Sequence, residues 1–268
     1  MKNYLCILLS FHLFICCNKS RDNTIEKNYD VILIIGQSNT HYGIGFDYIL
    51  DAPDSLIYQL GRHNSNDLEV ILAEEPLHHH TIQSQKIGFA LTFAKEYVQD
   101  NPNREVLLIP CGYGGTGFVD NRWNKGDDLY NDAIDRVNFI LENYSGSQIK
   151  AILWHQGEQD AIHDNNNYQL SLDRFINDIR LDIYSDSVPF ILGGMVPYWV
   201  ESDMNRMFFQ NIISETPSRV FNTGYADPCI PFVILKGDNN YDVIHYDAAG
   251  QRELGRRYYK EYIDIISL

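Results

Sequence analysis

The chain has 268 residues, 44% hydrophobic and 13% aromatic, which is enough for a sizeable core and too apolar for a disordered chain. Its 21 Lys and Arg against 36 Asp and Glu leave a formal charge of −15. That balance argues against general nucleic-acid binding, which needs a basic surface, and against an electrostatic hold on anionic lipids. A neutral or cationic partner fits it better.

Residues 1–17 differ from the rest. Lys2 precedes an apolar run from Tyr4 to Ile15, broken only by Ser10 and His12. The run is shorter than the roughly 20 residues a bilayer span needs and matches the core of a signal peptide. Cys16 and Cys17 follow. A cysteine closing a short apolar leader resembles a bacterial lipoprotein signal, with Cys17 as the acylated residue. The alternative is an ordinary cleaved signal peptide. Either reading implies export, to the periplasm or the outer membrane, with membrane contact only through a lipid anchor. Residues 18–29 read as a tether and 30–268 as one domain. The body carries only Cys111 and Cys229, which could bridge in an oxidising compartment or remain buried thiols.

Val31 to Ile35 is an unbroken β-branched run, the pattern of a strand buried on both faces of a parallel sheet. Residues 40–80 show little periodicity and read as a long loop. Helical spacing then runs from about Ser84 to Val98 and is stopped by Asn101-Pro102. A strand at Val106–Ile109 leads into a Gly-rich loop, Gly112 to Gly117, and a helix marked by Ala133, Ile134, Val137, Ile140 and Leu141. Ile149–Trp154 is the next strand, followed by a helix near 168–184, a strand at 188–192, a helix near 203–214, a strand near 219–222 and a closing helix near 247–263. Alternating strands and helices predict a three-layer α/β/α sandwich around a parallel sheet.

Ligands of open parallel sheets bind beyond the carboxyl ends of the strands. Four segments arrive there: Gln37-Ser38-Asn39, Gly112 to Thr116, His155-Gln156-Gly157-Glu158, and Asp242-Val243-Ile244-His245. Taken alone, each has a bland reading. Ser38 after a strand is an ordinary turn residue, although a nearby base would make it a nucleophile. Asp242 and His245 are a cap and a surface imidazole, or an acid orienting a base. The glycines form a plain turn, a phosphate cradle, or amide donors for an oxyanion; such donors are worth about 3–4 kcal/mol each in acyl transfer. The loop fits neither dinucleotide nor P-loop spacing. His78-His79-His80 reads as a solvated loop and not a metal site, since no acidic partner stands at ligand spacing.

Together the four blocks resemble the SGNH/GDSL-type esterases, in the sialate O-acetylesterase-like branch that includes carbohydrate esterase family six. Gly-Gln-Ser-Asn stands at 36–39, the Pro-Cys…Gly-Gly-Thr loop at 110–116 with one extra residue, Trp-x-Gln-Gly-Glu-x-Asp at 154–160, and Asp-x-x-His at 242–245. Residues 87–94 also look like that family's helix after the long loop. Thr40 and Gln159 depart from it, standing where Met and Ser are common.

The resemblance implies a flavodoxin-like fold, no cofactor or metal, and hydrolysis of acetyl esters on a carbohydrate such as xylan or sialic acid. It implies Ser38 as nucleophile, His245 as base and Asp242 as its orienting acid. The oxyanion donors would be the amides of Ser38 and of the Gly114–Gly115 turn, with the Gln156 side chain. Gln37, Asn39 and Glu158 would hold the first loop in place, Glu158 being also an alternative acid partner. Aromatics in loops, namely Tyr42, Tyr113, Trp123, Tyr198 and Trp199, are candidate sugar-stacking walls. Two readings compete: a glycan-binding lipoprotein of the same fold without turnover, and a flavodoxin-like nucleotide binder.

Overall fold

A computed structural model describes residues 27–235 and 242–267. The leader and most of the expected tether lie outside the described residues. Tyr29, assigned to the tether by sequence, belongs to the core instead. It is 2% exposed and packs its ring on Tyr58 and Tyr144, with centroids 5.7 and 5.5 Å away. A lone aromatic after a polar stretch gives no periodicity from which burial could be read.

The elements in chain order are β1 (Asp30–Gly36), a 3₁₀ turn (Ser38–Thr40), β2 (Gly43–Ile44), β3 (Ile57–Leu60), a second 3₁₀ turn (Asn64–Asn66), β4 (Val70–Leu72), β5 (Lys86–Ile87), α1 (Ala90–Asp100), β6 (Val106–Pro110) and α2 (Asp128–Asn143). Then follow β7 (Gln148–His155), α3 (Glu158–Ile162), α4 (Tyr168–Asp182), β8 (Phe190–Gly193), α5 (Pro197–Glu201), α6 (Met204–Ser214), α7 (Thr216–Arg219), β9 (Thr223–Ala226) and α8 (Ala248–Ile266). The main sheet has the order β4-β3-β6-β1-β7-β8-β9 and is parallel except for the β3–β4 pair. Five of these strands, β6-β1-β7-β8-β9, follow the flavodoxin order 2-1-3-4-5. The β3–β4 hairpin extends the sheet beyond β6. Helix α1 packs on α8, and α2 and α6 pack on α4, so helices cover the sheet as in a three-layer sandwich.

Five consecutive β1 residues, Val31 to Ile35, are fully buried, which explains the unbroken apolar run. The chain leaves β1 toward β6 on one side and returns to β7 on the other. The crevice beyond β1 and β7 is therefore the topological switch point where such sheets bind ligands.

The sequence misses short elements. Residues 40–80 contain β3 and β4, which are too brief and too close to the sheet edge for alternation to show. Helix α1 starts at Ala90 rather than near Ser84, because Lys86 and Ile87 pair with Ile44 and Gly43 in a two-stranded ribbon. The strand expected near 219–222 begins at Thr223, because Thr216–Arg219 first closes a helical turn with Pro217 in its first turn. Cys111 is buried, Cys229 is exposed, and both are free, so no bridge joins them.

One half-buried acid gives the fold a pH dependence. Glu75 accepts N–H bonds from Leu77 (3.0 Å) and Gly88 (3.2 Å), yet burial pushes its carboxyl up to about 8. A carboxyl raised in the folded state adds stability that is fully present below its unfolded pKa and is lost as pH rises toward the folded value. Stability from this group should therefore decline between pH 4.5 and 8, by a few kcal/mol at about 1.4 per unit. Glu75→Gln should be less stable than the native chain at pH 5, where one N–H loses its acceptor, and the gap should narrow by pH 8. Urea midpoints at both values measure it, and a constant gap would refute the assignment.

Candidate active site

At the end of β1, Gly36 adopts φ +124°, and a Cβ there would lie 2.1 Å from the His155 carbonyl oxygen. Without a side chain, β1 and β7 stay close enough for Gln37 N–H to donate to that oxygen at 2.8 Å. The chain then closes one 3₁₀ turn. Thr40 N–H and its hydroxyl both donate to Gln37 O, at 3.0 and 2.7 Å, and His41 N–H donates to Ser38 O at 2.9 Å. This places Ser38, 6% exposed, at the mouth of the switch-point crevice.

Three side chains from distant positions join there. Ser38 Oγ lies 2.7 Å from His245 Nε2, across 207 residues of sequence. His245 Nδ1 lies 2.8 Å from Asp242 Oδ2. The other Asp242 oxygen accepts the N–H groups of Ile244 and His245 at 3.2 and 3.1 Å, so the carboxylate shapes the turn that carries the imidazole. The Nδ1 contact leaves Nε2 free to accept the serine proton.

Asn39 locks the two segments together. Its amide nitrogen donates to Glu158 Oε1 (2.6 Å) and to Ile244 O (3.0 Å), and its oxygen accepts Tyr246 N–H (3.1 Å). Gln251 Nε2 donates to Asn39 O at 2.9 Å. Glu158 is fully buried; burial opposes its charge, but His155 and Asn39 beside it hold its carboxyl below the usual range. It engages Asn39 and faces His155, so the acid next to His245 is Asp242 and the alternative partner drops out.

The glycine loop faces the serine. A Cβ on Gly114 would stand 3.6 Å from Ser38 Cβ, and Gly115 takes φ +69°, the left-handed conformation that glycine allows. Among the described residues the amides of Ser38, Gly114 and Gly115 donate to no protein group, so all three remain available. The loop is braced from below. Thr116 Oγ1 donates to Tyr113 O at 2.7 Å and accepts the Trp123 indole N–H at 2.9 Å.

Gln156 does not play the part expected of it. It is fully buried, and its amide nitrogen donates to Asp160 Oδ2 (2.6 Å) and Gln37 Oε1 (3.4 Å), which occupies both N–H groups. It supports the site rather than offering a donor to an oxyanion. Asp160, overlooked in the sequence although it closes the Trp-x-Gln-Gly-Glu-x-Asp block, accepts the Phe118 and Val119 amides at 3.0 and 2.9 Å and so ties the end of the glycine loop to α3. Gln37 Oε1 also accepts Gln159 N–H at 3.1 Å.

Two of the expected sugar-stacking walls are core residues. Trp123 is fully buried against the edge of Trp154, and Trp199 is 4% exposed beneath the Arg206 guanidinium. Loop position in the sequence did not reveal that these rings turn inward. Tyr42 and Tyr113 are half-buried at the site. Tyr42 packs 5.0 Å from the His245 ring, and Tyr113 lies against His80 and Arg122. Tyr198 is partly exposed and donates to Asp242 O at 3.3 Å.

The histidine triplet is also not a solvated loop. His79 is fully buried, and its Nδ1 accepts Gly112 N–H at 2.9 Å while His80 N–H donates to Gly112 O at 3.1 Å. Its ring stacks on His41, centroids 4.6 Å apart, and His41 bonds Thr40 Oγ1 at 2.7 Å. Burial pushes His41 down to about 3 and His79 well below its usual value, so both rings are neutral at pH 7. The stack thus joins the serine turn to the glycine loop. His79→Asn keeps an acceptor near the Nδ1 position, whereas His79→Phe keeps the ring and loses the acceptor. Steady-state kinetics on an acetyl ester should show His79→Phe losing about tenfold or more in kcat with KM little changed, since an ångström of misplacement can cost that much. His79→Asn should stay within a few fold, and equal losses in both variants would refute the role.

The profile of the family described as carbohydrate esterase, sialic acid-specific acetylesterase matches residues 28–264. The chain belongs to that family. Among curated relatives of this family member, a probable carbohydrate esterase of Arabidopsis thaliana is 35% identical over 147 residues, 52% of this chain and 53% of the relative. The alignment thus spans about half the length of that protein. Among solved structures, a protein from Arabidopsis thaliana is 26% identical with a TM-score of 0.69, covering 88% of this chain and 98% of its own. NanS superposes with a TM-score of 0.77 at 19% identity, over 91% and 99% of the two chains, and shows that the fold is shared.

Proposed function

We propose that this family member is a serine-dependent carbohydrate O-acetylesterase, and the observation that carries the reading is the continuous Ser38–His245–Asp242 hydrogen-bonded chain at the switch point. Ser38 Oγ attacks the acetyl carbonyl while His245 Nε2 takes its proton. The oxyanion of the tetrahedral intermediate receives N–H bonds from Ser38 and the Gly114–Gly115 turn; each such donor is worth about 3 kcal/mol in the transition state. His245 then protonates the departing sugar hydroxyl and leaves an acetyl group on Ser38. Water attacks this ester with His245 again as base, releasing acetate and restoring the serine. Asp242 holds the imidazole in the tautomer that both half-reactions need.

The description of the family and the name of the plant relative, a probable carbohydrate esterase, support a carbohydrate ester as substrate. Acetate release from acetylated xylan and from O-acetylated sialic acid, together with labelling of Ser38 by a fluorophosphonate, tests the reading. Glycan binding without acetate release would favour the non-catalytic alternative.

A further inference from the structure

A groove of about 380 Å³ opens beside the reaction centre, lined by Ile44, Gly45, Phe46, Tyr48, Ser84, Gln85 and Lys86. It is built by the two-stranded ribbon, in which Ile44 pairs with Lys86, and by the turn that follows β2. Tyr42 joins it to the catalytic imidazole. The Lys86 ammonium lies 4.1 Å above the Tyr42 ring, whose other neighbour is the His245 ring at 5.0 Å. The Tyr42 hydroxyl is fixed by a bond from Gln83 Nε2 at 2.8 Å. Lys86 is therefore one aromatic ring away from the catalytic imidazole.

Two properties of the groove point to its occupant. The first is charge. The chain carries −15 overall, yet among the described residues the Lys86 ammonium forms no ion pair; it lies over the Tyr42 ring and within electrostatic reach of the buried His41. Two other described cations near the site are already held: Arg122 by both oxygens of Asp128, and Arg252, which also reaches the Gly45 carbonyl in the groove wall, by both oxygens of Asp51. Lys86 is thus the cation left over for a ligand carboxylate, and its setting at the edge of a partly desolvated groove strengthens that pairing. The second is the apolar wall. Tyr48 is 82% exposed and meets Phe46 edge to face at 5.0 Å, and Ile44 is exposed beside them. Exposed rings next to a polar head suit the C–H face of a sugar whose hydroxyls and carboxylate stay wet.

We propose that this groove is a subsite for a carboxylate-bearing sugar residue next to the acetylated one in an oligosaccharide, with Lys86 pairing to the carboxylate and Phe46 and Tyr48 holding the ring. The assignment rests on the esterase reading and narrows its substrate to acetylated chains that carry an acidic sugar. Lys86 acts as a specificity residue, so it should move KM for acidic chains and leave the acyl chemistry alone.

Acetate release is measured on three substrates: p-nitrophenyl acetate, acetylated neutral xylo-oligosaccharides, and the same oligosaccharides bearing a uronic acid. The native enzyme should favour the acidic chains, and that preference should fade as salt rises from 50 to 500 mM. Lys86→Met, which keeps an apolar stem over Tyr42, should raise KM about tenfold for the acidic chains and change the other two substrates by less than twofold. Tyr48→Ala should raise KM for both kinds of oligosaccharide and spare p-nitrophenyl acetate. Equal effects of Lys86→Met on all three substrates, or a native enzyme indifferent to the uronic acid, would overturn the proposal. So would a Tyr48→Ala change confined to oligomeric state on size-exclusion chromatography, which would make the patch a self-association surface. Absence of acetate release from every substrate by the native enzyme would instead defeat the esterase reading beneath it.

Discussion

Ser38→Ala is expected to lower kcat on any acetyl ester by about 10⁴-fold or more, because the variant loses the hydroxyl that the proposed mechanism acetylates. The fold should not register the change. The serine side chain makes one hydrogen bond, to His245, and the turn around it is held by Gln37 O, Thr40 and Asn39. Residual turnover should reflect the amide donors acting on a bound ester with water as nucleophile. Intact-mass measurement after brief exposure to p-nitrophenyl acetate should show an acetyl adduct on the native chain and none on the variant. Activity within tenfold of native, or an unchanged adduct, would remove Ser38 from the chemistry.

Asp242→Asn should cost about 10³–10⁴-fold in kcat with little loss of stability. The asparagine oxygen can still accept the Ile244 and His245 amides, so the turn should survive. The other position would present an NH₂ donor to His245 Nδ1 where the carboxylate accepted a hydrogen bond from it. The neutral imidazole would then carry its proton on Nε2, pointing at Ser38, and could not act as a base. Circular dichroism and thermal melting should match native while kcat falls. If Glu158→Gln instead produced the kinetic loss and Asp242→Asn did not, the orienting acid would have to be reassigned.

Much of this site is legible before any coordinates. The strand ends predicted for β1, β6 and β7 fall within about one residue of the observed ones, and each delivers a polar block to one edge. Long buried strands write unbroken apolar runs; Ser38 directly follows such a run, and Asp242 and His245 stand just before the closing helix α8. The errors have a common cause, which is that burial of single polar or aromatic side chains leaves no periodic trace. Gln156 was read as a donor to substrate because its type allowed it; its two N–H groups are used by Asp160 and Gln37. Trp123 and Trp199 looked available because they lie in or beside loops. His79 looked solvated because its neighbours are polar, and only the fold shows that Gly112 N–H reaches it. Lys86 carried no signal at all, since its position beside Tyr42 depends on a two-residue strand pairing.

The clamp made by Asn39 has an evolutionary consequence. It grips the histidine segment through Ile244 O and Tyr246 N–H, atoms that every non-proline residue supplies. The grip does not involve the side chain at 243, which is exposed, so that position is free to drift without unseating the imidazole, whereas Ile244 also packs against the core. A saturation library at 243 should yield many active clones, whereas one at 39 should yield very few.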